Sequence, residues 1–199
     1  LSEALDYAAR GVTGCNFYTG KGELYTVVSY AELREQAQTL ARRLQGLGLP
    51  RGTRVALLAD TSPDFIRFFF ACQYAGLVPV PLPAFIHLSN RSVYVEQLRA
   101  LLVICQASVA VAPLAFLPFL TEASEGLDLR FVGSPKDFGA LSEGTNALSP
   151  LGSDEVAYLQ YTSGSTRFPR GVMITQQAVL NNLSGIIKHG LAVRSFDHC

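Results

Sequence analysis

Apolar residues along the chain change their period several times, and each change predicts an element. From Tyr30 to Leu47, Leu33, Ala37, Leu40, Ala41 and Leu44 fall on one face at helical spacing. Ser29 can cap this helix while Glu32 reaches back in a capping box, and Gly48 with Pro50 stops it. "RVALLAD" (Arg54 to Asp60) is apolar with little alternation, as expected of a strand buried on both faces of a largely parallel sheet. Ser62 and Pro63 then open a helix, "DFIRFFFACQYAG", that is apolar nearly all round and so predicted to be deeply buried, with Gly76 ending it.

"LVPVPLPAF" carries prolines at 79, 81 and 83, so an extended chain there lacks every donor along one side. Such a strand donates only through Val78, Val80 and Leu82, and belongs at a sheet edge. The pattern continues with a helix from about Val93 to Cys105, a strand "SVAVAP", a helical "AFLPFLTEA" and a strand "LRFVG". Ser134 to Ser153 is rich in Gly, Ser, Pro and Asn and reads as a surface loop. A strand from Val156 to Tyr161, a loop, a short strand "GVMIT" and a helix from about Gln176 to Lys188 follow. Strands alternating with helices predict an α/β fold with a mostly parallel sheet flanked by helices.

Composition narrows the function classes. Sixteen basic and sixteen acidic residues cancel, so the chain lacks the charge signature of a nucleic-acid or acidic-membrane binder. Cys15, Cys72, Cys105 and Cys199 are far apart and have no metal-ligand spacing, which predicts free thiols in a reducing cytoplasm. No apolar run is long enough for a membrane span, and no signal-peptide pattern opens the chain.

The candidate chemistry lies in "YTSGSTRFPRGV", Tyr161 to Val172. Small residues free backbone N–H groups to converge on an anion, and Thr162, Ser163, Ser165 and Thr166 add hydroxyl donors beside Gly164. Arg170 supplies a permanent charge and a fork suited to phosphate oxygens, and Pro169 stiffens its approach. An ordinary Ser/Gly turn is the alternative reading of such a cluster. The spacing is not that of a Walker loop, and no GxSxG occurs. His87, His189 and His198 have no partners at catalytic spacing. Tyr158 and Tyr161 alternate with Leu159 on their strand, so at least one belongs to the core. The run Phe68 to Phe70 is expected to be a packed core helix rather than a fatty-acid tunnel.

"YTSGSTRFPRGVMIT" resembles the phosphate-binding signature of adenylate-forming enzymes: acyl-CoA synthetases, peptide-synthetase adenylation domains and luciferases. Arg167 stands where the family has glycine, and Arg170 where it has lysine. That variant is similar to the fatty acyl-AMP ligases. "LREQAQTLARRL", "VALLADTSPDFIRFFFACQYAGLVPVPLP" and "YLQYTSGST" extend the resemblance over essentially the whole chain, and Gln176 stands where histidine is common.

The resemblance implies that residues 1–199 are an N-terminal fragment of the AMP-binding domain, without the small C-terminal domain. It also implies that Thr162, Ser163, Gly164, Ser165, Thr166 and Arg170 hold ATP phosphates, and that catalytic residues lie outside the chain. The full-length enzyme would use ATP and Mg2+ to convert a fatty acid into an acyl-adenylate for an acyl carrier protein. An acyl-CoA ligase, a peptide-synthetase adenylation domain, and an inactive nucleotide-binding or interaction module are the alternatives.

Overall fold

The computed structural model describes residues 1–84, 91–162 and 170–191. Helix α1 (Ser2–Ala8) precedes an antiparallel hairpin of β1 (Gly14–Tyr18) and β2 (Leu24–Ser29), none of which the apolar pattern predicts. Helix α2 (Tyr30–Gly46) follows. The Ser29 hydroxyl accepts from the Glu32 N–H at 3.1 Å, but the Glu32 carboxylate takes Gln36 Nε2 at 2.8 Å. Leu33, Ala37, Ala41 and Leu44 are buried, and Leu40 partly so.

The frame is a parallel sheet ordered β4-β3-β5-β6, built from β3 (Arg54–Ala59), β4 (Val78–Pro83), β5 (Ala107–Val111) and β6 (Phe131–Gly133). Helices α3 (Pro63–Ala75), α4 (Arg91–Cys105) and α5 (Leu117–Ser124) make the crossovers. Alternate side chains of β3 go to opposite faces. Val55 and Leu57, with Val109 and Val111 of β5, meet α2 and α3, whereas Ala56 and Leu58, with Ala110, meet α4 and α5. This two-sided burial explains why the β3 sequence does not alternate in polarity.

Helix α3 starts with the Ser62 hydroxyl accepting from the Phe65 N–H, and ends at Gly76 in the left-handed region (φ 72°). A Cβ on Gly76 would lie 2.5 Å from Arg51 Nη1 and 2.8 Å from the Ser149 carbonyl oxygen, so close approach and conformation both require glycine. Phe68 is buried in the core while Phe69 and Phe70 pack at its margin, consistent with a structural role for the aromatic run. Asp6 ties α1 to its neighbours by accepting from Tyr74 Oη at 2.7 Å and Arg34 Nε at 2.5 Å. Burial opposes ionisation of Asp6, but these hydrogen bonds outweigh it and hold its pKa below the usual carboxylate value.

Strand β4 is the edge of the parallel sheet, as its prolines require. The Val78 N–H donates to the Thr53 carbonyl at 3.0 Å. The donor-free side of β4 is bordered by β7 (Val156–Thr162), whose ladder partner is the antiparallel β8 (Arg170–Thr175).

The Ser134–Ser153 stretch is not only surface loop. It contains α6 (Pro135–Gly139), opened by a full capping box in which Ser134 and Asp137 exchange hydrogen bonds. Phe138 is fully buried, edge-on to Phe68 and Phe131 with ring centroids 5.0 and 5.1 Å away. The last described helix, α7 (Gln176–Gly185), continues as a π-helical segment, Ile186–Leu191.

Candidate functional site

The crevice at the carboxyl ends of β3 and β5, where the chain reverses its direction across the sheet, is the usual ligand position in open α/β sheets. It is lined by Asp60, Ser62, Asp64, Val111 and Pro113, among others, and measures about 20 Å³. That is room for one water at most. Its polar groups are already engaged, with Ser62 Oγ donating to Asp60 at 2.6 Å and Arg67 paired with Asp64 at 2.9 Å. A nucleotide does not fit there.

The polar loop singled out in the sequence joins β7 to β8. Tyr161 pairs with Gly171 and Thr162 with Arg170, so the strand ends that flank the loop pair antiparallel. Ser163, Gly164, Ser165, Thr166 and Arg167 lie outside the described residues, as do His87, His198 and Cys199. The Arg170 side chain is exposed and has no ion pair among the described residues. A Cβ at Gly171 would lie 3.1 Å from the Tyr161 ring, so a larger residue there requires the ring to shift by a few tenths of an ångström. Leu159 is buried and Tyr161 partly so against the α4–α5 side of the core, while Tyr158 meets the Phe69 ring at 5.8 Å.

Polar contacts fasten the base of the hairpin. Arg51 Nε and Nη2 donate to the two Glu155 carboxylate oxygens at 2.7 and 2.6 Å, and Nη1 and Nη2 reach the Ser149 and Pro150 carbonyls. Arg51 and the Gly152 N–H together hold the Glu155 carboxyl below its ordinary pKa. The Gln176 and Gln177 N–H groups donate to the Glu155 and Ser153 carbonyls, both at 3.0 Å. Thr175 caps α7 by accepting from the Ala178 N–H at 3.2 Å.

Gln176 is buried, and its Nε2 donates to Oε1 of Gln73, a fully buried residue of α3. Gln73 Nε2 in turn donates to the Ala157 carbonyl at 2.8 Å. Gln73 escaped the sequence reading, although a lone amide in "FFFACQYAG" was a visible signal.

His189 is exposed in the π-helical segment. Cys15, Cys72 and Cys105 are free; Cys72 and Cys105 are buried, and burial pushes the Cys105 thiol up to about 11. Among the described residues, no group of three or more His, Cys, Asp or Glu side chains could hold a metal ion, and no helix is long and apolar enough to cross a membrane.

The model of the AMP-binding enzyme family matches residues 12–198. The chain belongs to this family. A solved structure from work on fatty acyl-adenylate ligases of E. coli and L. pneumophila superposes on this AMP-binding chain with TM-score 0.93 and 42% identity. It covers 98% of this chain and 35% of that one. A Caulobacter vibrioides protein named "Putative acyl-CoA synthetase" is 41% identical over 201 residues, 99% of this chain and 34% of the relative. The medium-chain-fatty-acid–[acyl-carrier-protein] ligase JamA of Moorena producens is 36% identical over 166 residues, 80% of this chain and 27% of the relative. The chain thus spans about a third of the length of these relatives. Its parallel sheet with flanking helices is the N-terminal part of the large domain of such ligases.

Proposed function

We propose that this chain is the N-terminal part of a fatty acyl-AMP ligase and supplies the ATP phosphate cradle of its active site. The observation that supports the reading is that Thr162 and Arg170, which begin and end "TSGSTRFPR" in the sequence, pair across an antiparallel ladder. Thr162, Ser163, Gly164, Ser165 and Thr166 offer neutral donors to the β- and γ-phosphates, and Arg170 adds charge-assisted ones. The fatty-acid carboxylate attacks the α-phosphorus, forming the acyl–phosphate bond, and the bond to the leaving pyrophosphate breaks. Holding the departing phosphates in line and neutralising their growing charge is the task of the loop.

Magnesium bound with ATP would supply charge neutralisation on phosphate oxygens. The described residues offer it no ligand cluster, so no step is assigned to it. The acceptor of the acyl group is proposed to be an acyl carrier protein, on the Arg167 and Arg170 variant of the signature and the likeness to the carrier-protein ligase of Moorena producens. The proposed setting is the cytoplasm.

With the full-length protein, fatty acid and ATP, hydroxylamine trapping is expected to yield the acyl hydroxamate. Arg170→Ala is expected to lower kcat/KM for ATP by about 10- to 100-fold, the weight of a lost charged hydrogen bond. No hydroxamate with any fatty acid would overturn the reading, and rapid acyl-CoA formation without carrier acylation would move the protein to the acyl-CoA ligases.

A further inference from the structure

The hairpin that carries the phosphate loop has an unusual attachment. Strand β7 borders β4 on the side where Pro79, Pro81 and Pro83 have no N–H to offer, and among the described residues its ladder partner is β8. Apolar contacts hold β7 through Val156, Leu159 and Tyr161. Such contacts are non-directional and by themselves fix no register of β7 against β4. Directional attachment lies at the base, where the Arg51–Glu155 fork and the Gln176 and Gln177 N–H bonds already act.

Two buried amides add a link to α3. Gln73, 0% exposed, donates from Nε2 to the Ala157 carbonyl at 2.8 Å at the start of β7. Its Oε1 accepts from Nε2 of Gln176, 2% exposed, directly after β8. The Gln73 backbone carbonyl accepts from the Leu151 N–H at 3.0 Å, and Gln176 Oε1 accepts from the Leu1 backbone nitrogen at 2.8 Å. One α3 residue thus grips the outgoing strand and, through Gln176, the returning one. Arg170 is six positions before Gln176 along a single extended arm.

We propose that Gln73 and Gln176 are positioning residues for ATP: the amide pair fixes β7 and β8 on α3 and thereby sets where Arg170 meets the phosphates. This rests on the proposed ligase reading for its kinetic consequence, but not for the mechanical coupling itself. Neither glutamine touches substrate; both act through β7 and β8.

The test uses the full-length protein with Gln73→Leu, Gln176→Leu and the double variant. Each single change leaves the other amide buried without its partner and is expected to lower Tm. The double change removes that mismatch but leaves the Ala157 carbonyl and the Leu1 nitrogen without these partners, and is expected to recover part of that Tm. A purely structural pair would then recover function as well.

A positioning pair would not: in the double variant, KM for ATP in pyrophosphate exchange stays raised by about 10- to 100-fold, the scale of a 1 Å misplacement, while KM for the fatty acid is unchanged. Hydrogen exchange of the β7 and β8 amides is expected to quicken in all three variants, with β3 and β5 unaffected. Normal ATP kinetics in the double variant, or unchanged β7–β8 exchange in all three, would overturn the proposal. If the wild type activates no fatty acid, the ligase reading fails on its own, and the exchange result still decides the coupling.

Discussion

Arg51 shows how one side chain is used at the residue scale. Its guanidinium closes a fork on Glu155 and spends its remaining donors on Ser149 and Pro150, joining the turn before β3 to the segment that leads into β7. Both partners are more than a third exposed, so solvent screens the pair and it counts for little as a charge interaction alone. The carbonyl bonds add to it, and Arg51→Met is expected to cost about 1–2 kcal/mol in urea unfolding at neutral pH.

The acid dependence of that cost has a definite sign. Arg51 holds the folded Glu155 carboxyl below its unfolded value, so the folded state binds this proton more weakly. The contribution is fully present above the unfolded pKa of about 4.3 and is lost as pH falls through the lower folded value. The stability gap between wild type and Arg51→Met is therefore expected to shrink below about pH 4. A gap that stays constant down to pH 2 would assign the whole effect to the carbonyl bonds.

At the scale of elements, legibility followed the strength of local signals. Helices α2 and α3 were readable because Ser29 and Ser62 cap them and glycine stops them, and β4 because three prolines can be tolerated only at an edge. Helix α6 was not, since five residues make too little of a turn pattern for apolar period to register. Its signal was chemical, a Ser-Pro-x-Asp start inside a Gly/Ser-rich stretch. The β1–β2 hairpin went unread although "LYTVVS" is rich in β-formers, because its outer face is also apolar: Tyr25 and Val27 are exposed beside buried Val28. The loop carries a local hydroxyl- and glycine-rich pattern from which its phosphate role is proposed, whereas Gln73 and Gln176 meet through a contact spanning 103 positions that no local pattern encodes. Because α6 contributes one fully buried ring between Phe68 and Phe131, Phe138→Ala is expected to cost about 3–5 kcal/mol, measured by chemical denaturation. A cost below about 1 kcal/mol, the scale of surface changes, would mean α6 is a covering loop after all.

For the whole molecule, the α7 end is out of balance with the rest. Leu180, Leu183 and Ile187 recur near helical spacing and are 42%, 43% and 49% exposed, and Met173 on the neighbouring β8 is 69% exposed. A helix that turns an apolar stripe to water asks for a cover. The chain spans about a third of the length of its relatives, and we propose that further elements of the full-length ligase cover this stripe. Residues 1–199 alone are then expected to bind ANS and self-associate, and Leu183→Glu should reduce both. In the full-length protein the same change buries a charge, and is expected to destabilise by several kcal/mol instead of improving behaviour. Opposite effects in the two chains would locate the cover at α7; a harmless Leu183→Glu in both would leave the stripe exposed in the complete protein.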